Sequence, residues 1–135
     1  MRTHAIVAAM FLVPAITQAA SWNSGFDRGI TYHALKEGAL ELTLACDPNG
    51  AYDPPQDYLV ASMEGRFVDG PATFEGQGKN VTIAFQQGNG LKRQMEEGAW
   101  NKLLTIMSSP EGFSFMHNNE SVKVTPTNQL QHDCK

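Results

Sequence analysis

The chain has 135 residues and a formal charge of −4, with 41% hydrophobic and 18% charged residues, which is enough for one core, too little for two domains and too apolar for a disordered tract. Without Arg2, which lies in a segment expected to be removed, nine basic residues face fourteen acidic ones. So acidic a chain excludes nucleic acid as a partner, since phosphate neutralisation requires clustered lysine and arginine; it suits a basic partner.

Residues 1–19 are built like an export signal. Met1-Arg2-Thr3-His4 is a short positive region, residues 5–16 form an apolar run too short to span a bilayer as a stable helix, and Thr17-Gln18-Ala19 is a small-x-small cleavage site. Cleavage after Ala19 is expected, leaving one β-rich domain over residues 20–135. An uncleaved anchor is the competing reading, but Pro14 interrupts the apolar run. No later stretch is apolar enough for a membrane, so the product is expected to be periplasmic or secreted.

Residues 20–29 read as a polar lead-in with two aromatics, Trp22 and Phe26, expected to plug the edge of a core. Residues 30–35 alternate and pair most simply, across Lys36-Glu37-Gly38, with the cleanest strand of the chain. In that strand Leu40, Leu42, Leu44 and Cys46 fall on one face and Glu41, Thr43 and Ala45 on the other. Asp47-Pro48-Asn49-Gly50 then turns, and a proline-rich acidic loop continues to Asp57. Strands follow at residues 58–63 and 66–68. Residues 71–75 form a weaker strand whose proline belongs at a start or an edge, and Val81, Ile83 and Phe85 mark another. From Glu96 the period changes: Trp100, Leu103, Leu104 and Met107 make one helical stripe, with Glu96 and Glu97 placed where the macrodipole favours acid. A last hairpin joins residues 113–116 and 121–125 around His117-Asn118-Asn119-Glu120. Short strands with turn signals every eight to twelve residues predict an antiparallel β-sandwich or open barrel carrying one short helix at about residues 96–107.

Two cysteines, Cys46 and Cys134, allow a single intramolecular pairing, and an exported chain meets an oxidising compartment. In the chain-entropy model such a crosslink constrains the unfolded chain by roughly 4 to 5 kcal/mol. A reactive thiol is the alternative, opposed by the acidic neighbours Asp47 and Asp133. His33, His117 and His132 lack metal-ligand spacing, so no metal site is expected, although distant strands can assemble one. His132-Asp133-Cys134 has the residue types of a cysteine-nucleophile triad, but adjacent residues do not form one by sequence. No G-x-S-x-G elbow occurs, and Glu96 and Glu97, as helix neighbours, diverge. Asp47, Asn49, Asp53 and Asp57 put hard oxygens in one loop, yet an EF-hand has glycine sixth and a bidentate acid twelfth, where this loop has Gly50 fourth and Tyr58 twelfth. The sequons at Asn80 and Asn119 mark exposed loops.

The outline of Trp22, Leu40-x-Leu42-x-Leu44-x-Cys46-Asp47, Trp100-x-x-Leu103-Leu104 and a final Cys134 resembles small exported proteins common in alphaproteobacteria. The resemblance covers nearly all of the chain after residue 19 and implies a β-sandwich periplasmic protein, with no catalytic residues to carry over. The expected function is therefore that of an exported non-enzymatic binding protein, without cofactor, acting as an inhibitor or immunity protein against a basic periplasmic cell-wall hydrolase. Two rigid loops are the expected binding surfaces: Asp47, Asn49, Tyr52, Asp53 and Asp57 in the first, and Ser108, Ser109 and Glu111 in the second, with Tyr52 and Tyr58 as anchors. The alternatives are an envelope structural or stress protein binding a small ligand or calcium, and a secreted eukaryotic effector.

Overall fold

The computed structural model describes residues 20–134; the export-signal reading of residues 1–19 lies outside them. In chain order the elements are β1 (Asn23–Asp27), β2 (Ile30–Glu37), β3 (Leu40–Cys46), β4 (Tyr58–Met63), β5 (Arg66–Phe67), β6 (Gly70–Gly76), β7 (Lys79–Phe85), β8 (Asn89–Leu91), a single 3-10 turn (Lys92–Gln94), α1 (Ala99–Met107), β9 (Phe113–His117) and β10 (Glu120–Val124). One antiparallel sheet runs β1-β2-β3-β4-β5 with β8 also paired to β4, and the other runs β10-β9-β6-β7. The described residues thus form a mainly β sandwich with one short helix and no closed barrel. We call the sheets A and B.

The alternation of β3 carries the core. Leu40, Leu42 and Leu44 are wholly buried, and the register sets Leu35 and Ala61 beside Leu42, and His33 and Leu59 beside Leu44. Sheet B answers with Ala72, Phe74, Ile83, Phe85, Phe113 and Phe115 in the same apolar cluster. Phe74 is its hinge, meeting Phe115 edge-on at a centroid distance of 5.2 Å and Phe113 at 6.2 Å, as aromatic quadrupoles prefer. Helix α1 packs on β7 and β6 and buries Trp100, Leu103, Leu104, Ile106 and Met107, the stripe read from the sequence with Ile106 added.

Three expectations need correction. The helix begins at Ala99, three residues late: Gly98 stands before it at φ 81°, a left-handed conformation that no helical residue adopts, so Glu96 and Glu97 precede the helix and its first turn holds no acid. Residues 20–29 are not merely a lead-in, since they contain β1, paired in full register with β2. Phe26 is no core plug but 71% exposed, because it lies on β1, an edge strand exposed along its whole length. Trp22 is buried as expected. The weak strand β6 lies between β7 and β9, with Pro71 at its start, the second of its residues, one of the two places expected for it. Pro71 fits there because it lies before the β9 register, which begins at Thr73, so its missing N–H interrupts no bond on that side.

The tail, featureless in sequence, crosses from the end of sheet B back to sheet A. Asn128 acts as a surrogate peptide: its Oδ1 accepts the Trp22 N–H at 2.7 Å and its Nδ2 donates to the Trp22 carbonyl at 2.8 Å. Thr127 N–H donates to the Ala20 carbonyl at 2.8 Å, Leu130 is buried, and Cys134 bonds Cys46 across a separation of 88 residues. The disulfide points to an oxidising, non-cytoplasmic location. Among the described residues no helix is long and apolar enough to cross a membrane.

Two substitutions separate core from edge. Leu42→Ala empties a wholly buried site and is expected to lower unfolding free energy by about 2–5 kcal/mol, whereas Phe26→Ala should change it by no more than about 0.5 kcal/mol. Urea midpoints of the two variants measure both, and a large loss at Phe26 would contradict the edge assignment.

Candidate functional site

A strand buried on one face must show the other, and in sheet A that other face is aromatic. The outward positions of β2 are Tyr32, Ala34 and Lys36, and those of β4 are Tyr58, Val60 and Ser62. Register aligns Tyr32, Ala45 and Tyr58 in one row, continued by Leu91 of β8. Ala45 is wholly buried although it faces outward, because the two flanking tyrosines close over its small side chain. Tyr52 leans in from the 47–57 loop and meets Tyr58 edge-on at 6.4 Å and 66°. Burial pushes the Tyr58 phenol above its ordinary 10.0, and the neighbouring Tyr52 and Tyr32 push it further. At the other end of the face Phe67, opposite Ser62, is 68% exposed. Gly88 lies under that ring, where a Cβ would come within 2.5 Å of Phe67 Cδ1.

The loop that supplies Tyr52 is held by its own acids. Asp47 is buried, and its carboxylate accepts the backbone N–H groups of Ala51 at 2.6 Å, Tyr52 at 3.0 Å and Gln56 at 3.1 Å. Asp57, also buried, accepts the Asp47 N–H at 2.7 Å and stands 4.0 Å from Lys92 Nζ. Both carboxylates are thereby committed to shaping the loop, and Asn49, Tyr52 and Asp53 are what it exposes. The second predicted surface lies elsewhere, between α1 and β9. Ser108 ends the helix and its carbonyl accepts from Gln129 at 3.2 Å. Ser109 is buried and Glu111 exposed. The structure therefore joins the first loop to the tyrosine row and leaves the second on the other half of the sandwich.

The opposite face of the same end holds a second cluster. Thr31 pairs with Cys46 and His33 with Leu44, so both side chains stand on the disulfide's side. His33 is buried; its Nδ1 shares a hydrogen bond of 2.7 Å with Ser24 Oγ, while its Nε2 is buried with no partner among the described residues. Thr31 Oγ1 donates to Asp133 Oδ2 at 3.0 Å. Ligand atoms of Cys46, His132 and Cys134 lie within 4.8 Å of one another, as do those of His33, Cys46 and Asp133. Burial holds the His33 imidazole below its ordinary 6.5, with Asp133 opposing and His132 reinforcing the shift. Ser24, His33 and Asp133 are the types of a nucleophilic triad. They do not form its chain of hydrogen bonds, because the Nε2 that an orienting carboxylate would take has no partner. His117 lies apart, its Nδ1 bonded to the Pro71 carbonyl at 2.9 Å.

Sequence reading singled out Tyr52 and Tyr58 but missed Tyr32 and Phe67, whose signal was present: Tyr32 shares the outward parity of Lys36, where a polar residue is the norm. It also treated His33 and His132 as separate, although a bond from Cys134 to Cys46 brings His132 to the strand beside His33. Compared with known protein families, with curated proteins and with solved structures, the chain matches none.

Asp47 makes a pH prediction. Burial raises its carboxyl, but the N–H groups of Tyr52, Ala51, Gln56 and Gly50 outweigh that and hold it below the ordinary 3.8. The unfolded chain then takes up this proton before the native one. The stabilisation is complete above 3.8 and is lost as pH falls through the lower native value. Asp47→Asn should be less stable at neutral pH and lose less on acidification below that point; parallel urea-midpoint profiles for the two proteins would contradict the assignment.

Proposed function

We propose that this chain is an exported, non-enzymatic binding protein that holds another protein against the outer face of sheet A, and that the partner is a basic periplasmic cell-wall hydrolase that it inhibits or to which it confers immunity. The observation that carries the reading is the face itself. A solvent-facing sheet surface is ordinarily polar, yet this one sets Tyr32, Tyr52 and Tyr58 at one end and Phe67 at the other. Tyrosine combines a large apolar ring with a polar tip and loses little rotamer freedom on docking, which is why it concentrates at interface hot spots.

Two further features support it. The Asp47 network fixes the loop before any partner arrives, which reduces the ordering cost of association. The excess of fourteen acidic residues over nine basic ones after Arg2 would steer a cationic hydrolase towards the protein and raise its on-rate. The Cys46–Cys134 disulfide suits an oxidising compartment, and the periplasm is the one in which such a hydrolase would be met. Calcium is the less supported occupant of the acidic loop, since the ion takes about six to eight oxygens and the Asp47 and Asp57 carboxylates are already bound to backbone N–H groups.

The test is capture from envelope extract on the immobilised protein, followed by assay of the captured hydrolase. Inhibition is expected, weakened by about 2 kcal/mol or more, roughly thirtyfold in Kd, in Tyr52→Ala and in Phe67→Ala, with an association rate that falls as salt rises. Failure to capture or inhibit a hydrolase, or variants that bind like the parent, would end this reading.

A further inference from the structure

We propose that the Cys46–Cys134 disulfide is one state of a latent metal site: when it is reduced, Cys46, Cys134, His132 and His33 form a Cys2His2 site for zinc or a similar thiophilic cation. The site stands apart from the tyrosine face, on the inner side of sheet A, and does not depend on the partner proposed above.

Convergence is the first argument. The Cys46 and Cys134 sulfurs and a His132 nitrogen already lie within 4.8 Å of one another, and His33 reaches Cys46 within the same limit. The two groups share Cys46 and draw on β2, β3 and the tail, so no local turn chemistry brings them to one place. Two cysteines with two histidines are the donor set of tetrahedral structural zinc, and soft thiolates discriminate against the calcium and magnesium of the envelope.

The second argument is the state of the two imidazoles. A buried polar atom ordinarily has a partner, yet His33 Nε2 and His132 Nδ1 are both buried with none among the described residues. For His33 the tautomer follows from chemistry. If Nδ1 carries the proton it donates to Ser24 Oγ at 2.7 Å, and Nε2 is left as a bare lone pair; the opposite tautomer would bury an N–H with no acceptor, the costlier arrangement. A metal-bound histidine shows the same pattern, one nitrogen on the ion and the other donating to an oxygen that fixes the ring. Ser24 is thus a positioning residue, and Asp133, held by Thr31, adds negative charge beside the cluster.

The chemistry balances in two steps. A dithiol reductant transfers two electrons and two protons to the disulfide, leaving two cysteine thiols in the protein and one disulfide in the reductant. Binding of one divalent cation then displaces the two thiol protons and makes two metal–thiolate bonds, with the histidines supplying neutral nitrogen donors. Either form ties the tail to β3, so the crosslink persists through reduction where the cation is present. The tail has no regular secondary structure after β10, which lets Cys134 and His132 adjust to the longer metal–ligand geometry.

Cobalt(II) is the probe. The chain is reduced anaerobically with a phosphine and titrated with Co2+, then with Zn2+ in competition. Expected are thiolate-to-cobalt charge transfer and the intense visible bands of tetrahedral cobalt, loss of both to one equivalent of Zn2+, and release of about two protons per ion near neutral pH. The unreduced chain should give none of these signals. His132→Ala, on the half-buried tail, should weaken binding by at least about tenfold, and His33→Gln should do the same. If reduction loosens the fold, Zn2+ should restore the circular dichroism of the oxidised protein. Octahedral cobalt without charge transfer, histidine variants that bind as tightly as the parent, or a reduced chain that zinc does not refold would each overturn the proposal.

Discussion

Strand β3 is the constraint on which the rest of the molecule depends, because each face and each end of its seven residues has a different obligation. Its inward leucines are wholly buried and give sheet B something to pack against. Its outward Ala45 is the small residue over which Tyr32 and Tyr58 close. Its last residue, Cys46, takes the tail, and the next, Asp47, ties the loop that presents Tyr52. A one-residue slip in its pairing would exchange these faces, exposing the leucines and burying Glu41 and Thr43. The hydrophobic penalty of that exchange is what holds the register, and with it both candidate sites.

Each candidate site is thus a by-product of how the strand is satisfied. The tyrosine face exists because the core takes the other parity of β2, β3 and β4, leaving side chains that no layer among the described residues covers. The disulfide cluster exists because the open side of the sandwich, near β1 and β2, is closed by a tail instead of a strand. That tail has to be attached by discrete groups, namely the Asn128 amide, the Leu130 side chain and the Cys134 sulfur. Attachment by such groups brings His132 and Asp133 to β2, where a regular strand would have brought a ladder of backbone bonds.

Acidic residues divide by what they face. Asp47 and Asp57 are buried; Asp47 accepts three backbone N–H groups and Asp57 accepts the Asp47 N–H and faces Lys92, so both act as structural residues of the loop. Asp53 is exposed, as are Glu96 and Glu97 in front of the helix, and contributes to the field outside the protein. The exposed pair Lys36–Glu41, at 3.5 Å with both side chains largely in solvent, adds little to stability.

What could be read from the chain alone was whatever is local and periodic. The alternation of Leu40, Leu42, Leu44 and Cys46, the stripe of Trp100, Leu103, Leu104 and Met107, the Asn118-Asn119 turn and the single way to pair two cysteines each depend on neighbours in sequence, and together they specify the β-sandwich with one helix and its crosslink. Position in the sheets was decided only by the fold. Whether Phe26 lies in a core or in solvent depends on its strand falling at the edge of its sheet, whether Pro71 sits in an edge or an interior strand depends on where the β9 register begins, and whether Asp47 is a ligand or a staple depends on which N–H groups come round to it. His33 and His132 are 99 positions apart in the chain, and no period connects them; both come close to Cys46 because burying the leucines of β3 sets the register of β2, and the bond to Cys46 then delivers the tail to that same place.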